Sequence, residues 1–264
     1  MRNTIRLPTL TNVQSGARAV LNCPLGLTYD LIQFKLTNCT AADLKNFKVR
    51  VGSNSHVDVD SAELLEDLNA FYKRGNQAGY FTLWFYRPEM ATEEERALTS
   101  LGTQDIPSLT IEFDIDGAVV NPAIEAHAVQ RGPAAMGLIT KIKRFPRSFA
   151  TSGQQDIDNI PRGARITAFH LKKADVSAVE LETNNGSGAG KIVEASKVLM
   201  ETLQKQHGRV PQTAKMTHID LNLLGRLTGP MPTAQLQDMR LKPTIDTAGA
   251  LETVVEYIDG HNGI

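Results

Sequence analysis

Asp114 and Asp116, followed by Gly117, set two carboxylates beside a turn residue. Asp156 and Asp158 do the same further along the chain. Hard cations such as calcium take oxygen ligands, so close carboxylate pairs ending in turn-like sequence are where such an ion would sit. These four are the calcium candidates, although nothing after Gly117 continues an EF-hand pattern. The alternative for each pair is the solvated face of a strand end or loop. Gly186, Gly188 and Gly190 precede Lys191 and suggest a phosphate cradle. The spacing fails: a P-loop needs glycine where Asn185 stands and serine or threonine where Ile192 stands. Six histidines (His56, His127, His170, His207, His218, His261) are scattered, none in an HExxH spacing. No serine occupies a G-x-S-x-G elbow. These residue types and spacings give no catalytic constellation, so the expected role is structural or binding, not enzymatic.

The elements that would carry these residues read as strands. Leu109, Ile111, Phe113 and Ile115 alternate with Thr110, Glu112, Asp114 and Asp116, which is a half-buried antiparallel strand. Phe47, Val49 and Val51 alternate in the same way. In Lys215–Gly225, Ile219, Leu221 and Leu223 share one face and His218, Asp220 and Asn222 the other. The segment Gly79–Glu89 is bulky on both faces and holds Trp84, which should be largely buried, within the barrel or at the subunit interface. Two helices are predicted. Ser61–Gly75 has Asp60 and Glu63 as a capping box and Gly75 as its stop; Lys191–Gly208 carries Ile192, Ala195, Leu199 and Leu203 on one side.

Read in order, strand, strand, helix, strand, long loop, strand occurs twice, offset by roughly 135 to 145 residues. One helix per half is too few for a parallel doubly wound sheet. The expected class is all-β: two antiparallel sandwiches, each with an inserted helix. The predicted domains are 1–130 and 163–264. Between them Arg131–Arg162, with Pro133, Pro146 and Pro161 and no clean period, reads as a connector. The loops after Glu89 and after Gly225 are too long for simple hairpins and are expected to project and make intersubunit contacts.

Composition narrows the role. Lys+Arg 28 against Asp+Glu 29 leaves a net charge of -1, which argues against direct nucleic-acid coating. No apolar run approaches the ~20 residues of a membrane helix. The segment MRNTIRLPTLTN lacks a signal-peptide apolar core, which suggests synthesis in a cytoplasm. Cys23 and Cys39 read as two reduced small hydrophobes.

Several phrases, in their order, carry a resemblance. They are TYDLIQFK at Thr28, FYRPEM at Phe85, ALTSLGT at Ala97, EFDID at Glu112, DIDNIPR at Asp156, RITAFHLK at Arg165, VSAVE at Val176, DMRLK at Asp238 and VEYID at Val255. The set resembles the major capsid protein of the corticoviruses, tailless icosahedral phages with an internal membrane, over almost the whole chain. That resemblance implies a double jelly roll, two eight-stranded barrels in one chain. It implies a homotrimer acting as a pseudo-hexameric capsomer that meets neighbouring capsomers. It further implies an underlying lipid membrane, small membrane proteins and a vertex protein as partners, a place in the virion after synthesis in the host bacterial cytoplasm, and calcium linked to particle stability. The alternative is a duplicated jelly-roll carbohydrate-binding or cupin-like protein. A cupin enzyme wants two or three histidines and a glutamate clustered on barrel strands. Only His170 and His218 lie on predicted strands, in different segments.

Overall fold

The computed structural model describes residues 2–75, 77–186 and 188–263. Met1, Asn76, Ser187 and Ile264 lie outside the described residues. The chain divides into two compact units, Met1–Lys143 and Arg144–Ile264.

Unit 1 is built from β1 (Asn3–Arg6), β2 (Arg18–Cys23), β3 (Thr28–Thr37), β4 (Leu44–Val51), β5 (Asn54–Ser61), α1 (Ala62–Phe71), β6 (Tyr80–Trp84), α2 (Glu93–Ala97), β7 (Leu101–Gly102), β8 (Leu109–Ile115) and β9 (Ala123–Arg131). The division falls inside β10 (Ile139–Phe149). One sheet runs β1-β9-β3-β6, with β7 also on β3. The other runs β5-β4-β8-β2. The strand pattern predicts which side chains meet. Phe34 and Phe81 come from the first sheet, Phe47 and Phe113 from the second. Phe47 and Phe113 stack at 5.7 Å, and Phe47 meets Phe81 edge-on at 5.5 Å. All four are fully buried, which locks the two sheets face to face.

Unit 2 contains β11 (Gly153–Gln154), β12 (Arg165–Lys172), β13 (Val176–Asn184), β14 (Ala189–Ser196), α3 (Lys197–Gln206), β15 (Thr217–Asp220), β16 (Met231–Pro232), β17 (Asp238–Ile245) and β18 (Gly249–Asp259). One sheet is β11-β17-β13-β14; in the other β12 lies between β15 and β18 and also takes β16. Phe169 and Leu171 of β12, Tyr257 of β18, Val179 and Leu181 of β13, and Leu241 of β17 share one core.

The two units repeat each other pairing by pairing. The β4–β5 hairpin leads into α1 as the β13–β14 hairpin leads into α3. β8 pairs with β2 and β4, and β17 with β11 and β13. β3 takes β6, β7 and β9, and β12 takes β15, β16 and β18. All these pairings are antiparallel.

Several local expectations are corrected. The span Arg131–Arg162 holds the eleven-residue strand β10 and the short β11. Its period is concealed because Lys141, a lysine, occupies a fully buried position beside Ile139. The Asp60–Glu63 capping box does not form: Ser61 is the N-cap of α1, without a side-chain cap, and its amide donates to Asp60. That helix ends at Phe71, with Tyr72 as its C-cap, instead of running to Gly75, and Lys73 takes the left-handed φ of 56°. The first six residues of the predicted Lys191–Gly208 helix, Lys191 to Ser196, belong to strand β14. The stretch after Glu89 is anchored in unit 1 at its far end, while α2 within it has no buried residue. Thr103 Oγ1 donates to Leu27 O, and Thr99, Ser100 and Leu101 are buried in unit 1.

Candidate functional site

The four candidate carboxylates are each already occupied. Asp114 receives two hydrogen bonds from Arg18, at 2.7 and 3.2 Å, and one from Asn46 at 2.8 Å. Those hydrogen bonds hold its carboxyl below the ordinary range. Asp116 accepts from the Ala118 amide at 2.9 Å, an Asx turn that closes β8. Asp156 accepts from Arg240 at 2.9 Å, and Asp158 from Arg147 at 2.9 Å. Calcium needs six to eight oxygens converging on one point. Among the described residues no three His, Cys, Asp or Glu side chains gather as metal ligands. Among the described residues the donor set does not fit a calcium cage.

The glycine-rich loop is a hairpin turn between β13 and β14, with Gly186 at φ 86° and its amide on Asn184 Oδ1 at 2.8 Å. The following helix starts only at Lys197, so these glycines do not open a helix N-terminus.

His170 and His218 do meet, although sequence separates them by 48 positions. They lie on paired strands β12 and β15, directly opposite each other. Their Nδ1 atoms are 2.7 Å apart, and His170 Nε2 lies 3.1 Å from Glu256 Oε1 on β18. All three are buried. The Gln212 amide donates to His218 Nε2 at 3.2 Å, so His218 carries its proton on Nδ1. That proton goes to His170 Nδ1, and His170 Nε2–H then points at Glu256. Two imidazoles bridged by zinc at about 2.0–2.1 Å each would hold their nitrogens further apart than one hydrogen bond. The trio is therefore a hydrogen-bonded chain and not a metal-ligand set. Burial, followed by the neighbouring His170, pushes the His218 pKa well below its ordinary value. Beside it Arg209 donates to Asp220 at 2.7 Å and to Asn222 O at 3.1 Å, and Gln204 donates to His218 O at 2.7 Å. The predicted outward face of His218, Asp220 and Asn222 is thus buried and satisfied. Sequence gave no sign of Glu256 or Arg209, because their partners arrive on other strands.

A second buried polar cluster ties unit 1 together. Glu89 accepts from Arg74 at 2.8 Å and from Arg87 at 2.7 Å, and both guanidiniums lie over the Tyr72 ring. Burial would raise the Glu89 pKa, but the two guanidiniums outweigh it and hold it below the ordinary carboxylate range. Trp84 is only half-buried. It lines a shallow hollow with Leu31, Tyr86, Pro88 and Val129, closed by Arg2 and Asp30. In unit 2 a hollow of about 280 Å³ lies between β14, α3 and β15, lined by Val193, Leu199, Met200, Leu203 and Ile219 among others.

Neither polar cluster presents a nucleophile or an open ligand site, so the repeated architecture is the informative feature. The model of the viral coat protein P2 N-terminal domain matches residues 4–131, and that of the P2 C-terminal domain matches 139–261. The chain belongs to the viral coat protein P2 family. The major capsid protein P2 of Pseudoalteromonas phage PM2 is 28% identical over 98% of this chain and 97% of its own. The crystal structure of the PM2 protein superposes with a TM-score of 0.93, covering all of both chains. The major capsid protein of Sulfolobus turreted icosahedral virus gives 0.74 at 10% identity, covering 98% of this chain and 97% of that one. A PBCV-1 virus capsid chain gives 0.64 at 10%, covering 100% and 96%. The last two show the fold alone. The fold of this P2-family chain is the double jelly roll, its role is that of a phage major capsid protein, and it is a component of the virion.

Proposed function

We propose that the working unit is a homotrimer forming a pseudo-hexameric capsomer. The observation that supports this is the repeated strand pairing. A chain holding two copies of one sandwich supplies six similar walls when three chains surround a threefold axis. Head-to-tail contacts of that kind close into a ring. Such blocks tile a shell over an internal lipid membrane, with neighbouring capsomers, small membrane proteins and a vertex protein as partners. The chain is made in the host bacterial cytoplasm and makes no direct contact with nucleic acid, in keeping with its net charge of -1. It carries no enzymatic step: its buried His170, His218 and Glu256 are mutually satisfied. The test is the mass of the purified chain by light scattering, where three chains per particle are expected and a monomer at micromolar concentration overturns the reading.

A further inference from the structure

Six of the ten exposed large hydrophobics among the described residues fall between Ile192 and Leu224. Val198 is 73% exposed, Leu199 49% and Leu203 39%, all on α3, and Leu199 and Leu203 line the unit 2 hollow. The counterpart helix in the duplication behaves differently. On α1, Leu64, Leu65, Leu68 and Phe71 are all buried by the chain itself. An apolar helix face is stable in water only when something covers it, and a large uncovered patch marks an interaction surface.

The charges around the patch indicate what covers it. Lys191 pairs with Glu194 at 2.8 Å and with Glu180 at 3.4 Å. Lys197 donates to Ala174 O and Thr213 O and lies 3.9 Å from Glu201. Arg209 is taken by Asp220. Lys191, Lys197 and Arg209 are thus matched within the chain. Lys205, exposed in the last turn of α3, is a single basic group, whereas acidic lipid headgroups and phosphate backbones are read through clusters of them on a rim. The patch complements an apolar, uncharged protein surface, and a coat protein meets copies of itself more than any other surface.

We infer that the α3–β14 face is covered by a second copy of this chain and is an interface of the oligomer. The inference rests on the oligomer proposed above and assigns its contact surface. The experiment compares the unmodified chain with the double variant Val198→Lys/Leu199→Lys by light scattering and circular dichroism. The exposure of both positions leaves the core of the subunit intact. The expected result is a trimer for the unmodified chain and a folded monomer for the variant. A folded variant that stays trimeric overturns the face assignment and leaves the trimer standing. A monomeric unmodified chain overturns both. If the variant does not fold, radical footprinting of the unmodified protein decides. Protection of Leu199 and Leu203 in the trimer relative to the diluted, dissociated chain supports the assignment, and equal labelling overturns it. Co-flotation of the unmodified chain with neutral phosphatidylcholine vesicles, lost in a still-trimeric variant, overturns it in favour of a lipid surface.

Discussion

His170 and His218 share one hydrogen bond, Nδ1 to Nδ1 at 2.7 Å, in the buried interior of unit 2. Both rings are neutral in this arrangement, since His218 Nε2 accepts from the Gln212 amide and His170 Nδ1 accepts from His218. The His218 pKa is depressed well below 6.5, first by burial and then by His170, with Lys197 adding to the effect and Glu256 opposing it. In the unfolded chain the same ring titrates near 6.5. The unfolded state therefore binds more protons as the pH falls, and stability drops with it. Full stability is present above about 6.5 and is lost on acidification below it, by up to ~1.4 kcal/mol per pH unit per proton. Thermal midpoints measured from pH 7.5 to 5 should decline, and His218→Gln should flatten that decline. A flat profile in the unmodified protein contradicts the assignment.

Glu89 gives a separate acid limb. Its carboxyl is held below the ordinary value by Arg74 and Arg87, so its stabilisation is present above about 4.5 and is lost as the pH falls through its lower native value. Glu89→Gln leaves two guanidiniums without their counter-charge in a buried site. The expected cost is about 3–5 kcal/mol, read from the urea midpoint. A change below about 1 kcal/mol would mean that water already screens the cluster.

The aromatic residues rank themselves by burial. Phe47 stacks on Phe113 inside the sandwich and is fully buried, so Phe47→Ala should cost about 3–5 kcal/mol. Trp84 faces a hollow and is half-buried, so Trp84→Ala should cost less in the isolated subunit. Equal losses for the two would place Trp84 in the core after all.

Much of this fold was legible in sequence where one strand face was apolar. Phe47, Val49, Val51 and the run from Leu109 to Ile115 alternate as predicted. The double occurrence of strand, strand, helix and strand was visible because each half keeps one ten-residue helix, α1 and α3, but the hairpin partners β5 and β14 just before those helices were not. The hidden parts have a common cause: polar residues at buried positions. Lys141 masked β10, and His218 and Asp220 looked solvent-facing because Gln204, Arg209 and Gln212 reach them only in the folded chain. Ser196 caps α3 where the apolar spacing of Ile192 and Ala195 had suggested an earlier start.

Calcium supplies a fourth check. Asp114, Asp156 and Asp158 are each held by an arginine, and Asp116 closes a turn. Chelator should leave the thermal midpoint of the purified protein unchanged. A drop restored by added calcium, and absent from Asp114→Asn or Asp156→Asn, would show that these carboxylates exchange their partners for the ion.

The central claim is that a duplicated jelly roll makes each chain two sides of a six-walled block. Electron cryo-microscopy of the purified, unmodified protein tests it most directly. The account predicts particles of three chains with a hexagonal outline, six similar sandwiches around one axis. Monomers, or rings whose symmetry is other than threefold, would contradict it.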